Sequence, residues 1–192
     1  MEQPNYVLRT NEAVLMPVQD SKGKRFLKIG VSTVIGILVL GSLFFGDNLF
    51  MELSGTTRLL LIILAIGVLL FGTKREDVPS PMELQFFDDY LILYLPKRYY
   101  SRRITRREVN KLKYSDITKC VYNARLQRVH IYGGGVSEWY NYDAKGNLPD
   151  KPTKTNAYDE GLIYFRTLFA TDVDFKKEIE EHSPLTVIVE NS

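Results

Sequence analysis

The residues most able to do chemistry form one basic segment, residues 97–113, which reads KRYYSRRITRREVNKLK. It contains a single acid, Glu108, and two adjacent aromatics, Tyr99 and Tyr100. Each Lys or Arg close to an anionic lipid surface contributes about 1 kcal/mol to its attraction. The sequence therefore predicts contact with an anionic surface through Lys97, Arg98, Arg102, Arg103, Arg106, Arg107, Lys111 and Lys113.

Two other interpretations of residues 97–113 stay open. Charged side chains along the edge of a hairpin deter pairing with other chains, so the segment could be a solvated strand edge. Basic residues among aromatics also suit a nucleic-acid backbone. The charges after residue 82 are nearly balanced, however, so the basic patch is local and nucleic acid ranks below the other two interpretations.

The side chains that usually serve catalysis or metal binding are sparse. Cys120 is the single cysteine and the two histidines, His130 and His182, are far apart in the sequence, which gives no pattern for a nucleophile or a metal site. The triple glycine at 133–135 is not followed by the Lys and Ser/Thr of a phosphate-binding loop, and a hairpin turn explains it better. We expect no catalytic, cofactor-binding or metal-binding residue, and a protein that is not an enzyme.

The aromatic residues Trp139, Tyr140 and Tyr142 allow two interpretations. They could line a groove that binds a peptide. Aromatic residues in a strand more often form the core and the cross-strand pairs of a sheet.

Two apolar stretches, at about 28–46 and 54–73, precede the basic segment. Each approaches the roughly 20 residues that span a bilayer, and neither has a polar face, so the sequence predicts a transmembrane hairpin over residues 27–73. Basic residues flank the pair, whereas the connector between the helices is acidic. The positive-inside rule then predicts a multi-pass plasma-membrane protein with both termini in the cytoplasm. The flanking basic residues are Lys22, Lys24, Arg25, Lys28, Lys74 and Arg75.

The rest of the chain is organised around a β-rich domain. Residues 1–26 are predicted to form a cytoplasmic N-terminal segment that either adds to the sheet of this domain or lies on the membrane. The prolines in residues 74–82 predict a linker. Residues 83–192 predict about seven strands separated by turns, with the triple glycine as one turn.

An amphipathic helix is predicted near the C-terminus. Thr171 and Asp174 form a capping box that indicates its start. Residues 185–189 predict a short edge strand after it.

The strings YSDITKCVY, LIYFRT and FKKEIEEHSPL, following two hydrophobic helices, resemble bacterial membrane proteins of the YcxB-like family, which carry a pleckstrin-homology-like domain. The resemblance covers about residues 27–185. It implies a small seven-stranded bent barrel or sandwich capped by one C-terminal helix. It implies no catalytic motif, because that family has no established one.

These observations support three functional hypotheses. The first is a membrane-tethered interaction module that contacts proteins or anionic lipid headgroups. The alternative is an accessory or regulatory subunit of a membrane complex, held through its helical hairpin. The third is an enzyme whose site has no visible motif. A protein partner or a second copy of the chain is compatible with the first two, and no cofactor is expected.

Overall fold

A computed structural model describes residues 2–17, 22–45, 52–71, 75–99 and 104–191. The chain divides into two compact units. One combines Met1–Met16 with Asp77–Ser192, and the other is Pro17–Glu76. The first part of the predicted N-terminal segment, residues 1–16, therefore belongs to the β-rich unit, whereas residues 17–26 belong to the other unit.

The smaller unit contains two helices that contact each other, α1 (Lys22–Phe45) and α2 (Gly55–Phe71). No helix in the described part of the chain is long and apolar enough to cross a membrane. The 17 residues of α2 extend about 25 Å, which is less than the roughly 30 Å of a bilayer core. The uncharged remainder of α1, residues 29–45, is no longer than α2.

The sequence interpretation is therefore wrong about the membrane. The predictions of a transmembrane hairpin, of a membrane protein and of a multi-pass plasma-membrane location with cytoplasmic termini are all contradicted by the absence of a spanning helix among the described residues. Apolar side chains of both helices, such as Phe26 and Leu59, are exposed in the described chain.

The larger unit is built on one curled sheet of eight strands that forms a half-barrel. Strand β1 comes from the N-terminal segment, and β2 includes residues 75–82, which the sequence predicts as a linker. The strands are β1 (Tyr6–Pro17), β2 (Arg75–Phe86), β3 (Tyr90–Tyr99), β4 (Thr105–Lys113), β5 (Ile117–Asn123), β6 (Arg128–Asn141), β7 (Lys154–Arg166) and β8 (Val187–Glu190).

The strand order differs from the predicted seven-stranded barrel. It runs β1-β2-β3-β4-β6-β5-β8, and β7 pairs with the other edge of β6. Strand β8 is parallel to β5, which makes the sheet mixed. The prediction of seven strands is wrong because β1 is separated from the other strands by two helices in the sequence, and no local pattern links them.

Strand β6 is continuous through the triple glycine, so the predicted turn at 133–135 is wrong. The first part of β6 pairs with β5 and its second part with β4. Gly133 has a φ of +144°, and a Cβ placed on it would lie 2.1 Å from the backbone oxygen of Asp116. Glycine is required here because the backbone of the turn that precedes β5 lies too close for any side chain. The pairing register of β6 with β7 also shifts between Gly133 and Gly135.

Helix α3 (Phe175–His182) lies between β7 and β8 in the sequence, and the predicted helix is confirmed. Its N-cap is Asp174, and not Thr171 as the predicted capping box implies. Oδ1 of Asp174 accepts a hydrogen bond from the amide of Lys177 at 3.1 Å. Phe175 and Ile179 face the core, where the ring of Phe175 lies 5.4 Å from that of Phe165. Further buried residues of this core are Leu84, Phe86, Leu91, Leu93, Leu112, Val129 and Ile131.

Candidate functional site: a groove beside β7

The basic segment divides between the two faces of the sheet. Successive side chains of a strand point to opposite faces, so Arg106 and Arg107 on β4 diverge. Arg98 is the cross-strand partner of Arg106 and shares its inner face. Arg107, Lys111 and Lys113 follow the other face of β4, and Lys97 is exposed. Arg102 and Arg103 lie outside the described residues.

On the inner face, Arg98 connects two buried glutamates from different strands. Its Nε lies 2.9 Å from Oε1 of Glu12 on β1, and its Nη1 donates to Oε2 of Glu108 on β4 at 2.8 Å. Arg106 also donates to Glu108, and its guanidinium lies 4.6 Å from the ring centroid of Trp139. Two of the eight predicted anion-contacting residues are thus paired with carboxylates of the chain itself.

Burial changes the acidity of this cluster. Desolvation and the charge of Glu108 raise the pKa of Glu12 from its ordinary 4.5 to about 7, against the attraction of Arg98 and Arg166. Burial alone would lower the pKa of Arg98, but the two glutamates raise it overall. Arg98 also donates from Nη2 to Oε2 of Glu12 at 3.4 Å, so its guanidinium contacts both oxygens of this carboxyl group.

On the outer face, the basic side chains lie against aromatic rings. The Arg107 guanidinium is 4.1 Å from the centroid of Tyr140, and the Lys111 ammonium is 3.6 Å from that of Tyr90. These cation–π contacts hold each charge close to the sheet. The described cations on the outer face of β4 therefore form a row along the strand, whereas Arg98 and Arg106 lie on the inner face.

A groove of about 540 Å³ opens on the inner face, between β1 and β7. Its volume is within the range of protein binding sites. Trp139 lines it, as the peptide-groove interpretation requires, whereas Tyr140 is on the outer face and the hydroxyl of Tyr142 donates to the carbonyl of Pro96. The remaining lining residues include Val14, Leu15, Arg98, Arg106, Glu108, Asn110, Ser137, Asn156, Tyr158 and residues 160–164.

Five consecutive residues of β7, 160–164, border this groove. Because alternate side chains of a strand point to opposite faces, a consecutive run can border a groove only along the edge of the strand. Within the described residues, β7 pairs with β6 alone, so its other edge presents unpaired main-chain donors and acceptors to the groove. Leu162 and Tyr164 on this edge are 48% and 43% exposed.

The floor of the groove contains polar residues that the sequence analysis missed. Asn110, Ser137 and Asn156 are direct cross-strand neighbours on β4, β6 and β7. They span 46 positions of the sequence and form no local motif, because each comes from a different strand. Only the register of three strands reveals the row.

The other candidates from the sequence are structural in character. Burial, with a contribution from Glu180, raises the pKa of the Cys120 thiol to about 12, which disfavours a nucleophilic thiolate. Burial and Arg128 lower the pKa of His130. His182 stacks on Tyr6 with 3.6 Å between ring centroids, and so packs α3 against β1. In the described ranges, no three His, Cys, Asp or Glu side chains converge on a metal-binding position.

The comparisons with known proteins leave the resemblance to the YcxB-like family as a prediction. No protein family, no curated protein and no solved structure matches the chain.

Proposed function

We propose that the β-rich unit is a protein-binding module without catalytic activity, and that it binds an extended segment of a partner protein along the free edge of β7. The observation that carries the proposal is the groove bordered by residues 160–164 of this unpaired edge. An extended segment can add to such an edge through main-chain hydrogen bonds, while adjacent pockets select its side chains.

The chemistry of the groove suits a polypeptide. Leu15, Leu162 and Tyr164 give it an exposed apolar rim, and the polar row from Asn110 to Asn156 lies on its floor. The positive and negative charges of Arg98, Arg106 and the two buried glutamates largely offset each other. A ligand defined only by its negative charge would gain little from this surface.

An anionic ligand is less well supported for the same reason. Arg98 and Arg106 donate to Glu108, so the cations directed outward in the described part of the segment are Lys97, Arg107, Lys111 and Lys113. The aromatic contacts of Arg107 and Lys111 already occupy one side of each charge. A protein partner is therefore the ligand class that the groove favours.

The amides that would pair with a bound segment follow from the β6–β7 register. The amide of Thr167 donates to the carbonyl of Gln127, at the end of the antiparallel ladder. Because alternate residues of a ladder direct their amides to the same side, the amides of Leu162 and Tyr164 point away from β6. They are the main-chain donors available to a partner.

The test uses the full-length protein to select binders from a library of displayed random short segments. Leu162→Pro removes an outward amide and is tolerated at a strand edge, whereas Leu162→Ala removes only the side chain. We expect the selected segments to bind the proline variant at least about tenfold more weakly than the alanine variant.

Thermal unfolding of both variants controls for stability. Equal binding by the two variants, or the recovery of no segment from the library, would contradict the proposed function.

A further inference from the structure

Three polar side chains on the groove floor lie in one transverse row across the sheet. Asn110 pairs with Ser137, and Ser137 pairs with Asn156. Asn110 and Ser137 are only 5% and 6% exposed, yet both line the groove. Buried polar groups are costly unless they find hydrogen-bond partners, so a polar row in this position calls for a partner of matching chemistry.

The hydrogen-bonding capacity of this row exceeds what the protein uses. The Asn110 amide makes one long hydrogen bond, from Nδ2 to the carbonyl of Leu93 at 3.4 Å. The neighbouring hydroxyl of Tyr158 is buried without a hydrogen-bond partner in the described chain. Burial raises the pKa of the Tyr158 hydroxyl and an interaction with the nearby Ser137 side chain lowers it, so the two groups are neighbours in the groove.

The backbone leaves space for the Tyr158 side chain at two glycines. Its ring lies over Gly161, where a Cβ would approach it to 2.5 Å, and its hydroxyl lies over Gly135, where a Cβ would approach it to 3.0 Å. Two glycines on different strands thus leave room for one aromatic side chain. The hydroxyl is thus held beside Ser137, the middle residue of the polar row.

The groups in the row are uncharged, and each can both donate and accept hydrogen bonds. A carboxamide also does both. A carboxylate or an ammonium group on the ligand would lose its hydration here without gaining an unpaired counter-charge, because Arg98 and Arg106 are already paired with Glu108. The cost of desolvation therefore disfavours both ions more than a neutral amide.

We propose that the floor row of Asn110, Ser137 and Asn156, with the Tyr158 hydroxyl, is a subsite for the carboxamide side chain of one Asn or Gln in the bound segment. This inference rests on the proposed function, since the carboxamide is delivered by a segment paired with β7. It adds the specificity that main-chain pairing alone does not supply.

The experiment uses segments selected on the full-length protein as probes. We expect them to share Asn or Gln at one position, and replacement of that residue by Leu to weaken binding about tenfold. The Asn156→Leu variant should lose most of this discrimination. Thr155→Leu is the matched control, because Thr155 is the adjacent exposed residue and points to the other face of β7.

The outcomes separate the two proposals. If segments bind and depend on the Leu162 amide but show no carboxamide preference, the subsite is overturned and the proposed function stands. Equal discrimination by the Asn156→Leu and Thr155→Leu variants also overturns the subsite. If no segment binds, both proposals fall.

Discussion

Arg98 and Arg106 are close to each other in the sequence and in space, but their partners come from elsewhere. Glu12 is distant in the sequence and reaches Arg98 because β1 joins the sheet. A run of basic residues predicts a basic surface only when the side chains share a face and lack carboxylate partners. Neither condition holds, because side chains alternate between the two faces of β4 and buried glutamates pair with Arg98 and Arg106. The pairing of strands that brings these groups together could not be inferred from the sequence.

At the scale of single residues, Glu12 should make stability depend on pH near neutrality. Its pKa is raised on folding, so the folded state binds the proton more tightly than the unfolded state. Its stabilising contribution is therefore complete below about pH 4.5 and is lost as the pH rises to about 7. The loss corresponds to about 3 kcal/mol.

The prediction is tested by chemical unfolding of the wild type and Glu12→Gln between about pH 5 and pH 8. Glutamine imitates the protonated glutamate and does not titrate. The free energy of unfolding of the wild type should therefore fall relative to the variant as the pH rises. A constant difference across this range would show that Glu12 does not titrate there.

At the scale of elements, the local patterns predicted much of the β-rich unit. The amphipathic helix predicted near the C-terminus is α3, and the short edge strand predicted at 185–189 corresponds to β8. Each depends on turn chemistry, capping or periodicity within a few residues. The prediction of a turn at the triple glycine inside β6 is wrong, because glycine can indicate either a turn or a close approach of the backbone.

The close backbone contact at Gly133 in β6 gives a prediction at the same scale. Gly133→Ala places a methyl group against the Asp116 carbonyl and in a backbone conformation that alanine rarely adopts. We expect it to lower the free energy of unfolding by more than about 3 kcal/mol.

Gly146→Ala is the matched control for Gly133→Ala. Gly146 also has a positive φ, of +84°, but a Cβ there meets nothing within 4 Å. Its cost should be about 1 kcal/mol, measured by the same denaturant unfolding. Equal costs at the two positions would show that the close approach of the Asp116 backbone does not require glycine at position 133.

At the scale of the whole molecule, the predictions from the sequence were wrong where the structure depends on contacts between distant residues or on the length of a helix. The two helices are predicted at nearly the right positions, yet neither is long and apolar enough in its described part to cross a membrane. The groove could not be predicted either, because it requires β1, β4, β6 and β7 to be assembled in register. Trp139 was the one lining residue that the sequence associated with a peptide groove.

Contacts across the curled sheet keep the two sides of the groove in place. Arg166 at the end of β7 donates from Nη2 to Asp77 on β2 at 3.0 Å, and Glu12 anchors β1 to β3. The groove is therefore formed in the chain itself and does not need a ligand to create it. A preformed groove lowers the entropic cost of binding.

The most direct test of strand addition at β7 is amide hydrogen exchange of the full-length protein with and without a selected segment. We expect binding to slow exchange at the outward amides of Leu162 and Tyr164, and to leave the edge strand β8, Val187–Glu190, unchanged. Unchanged exchange along β7, or protection confined to β8, would contradict the proposal that β7 is the binding edge.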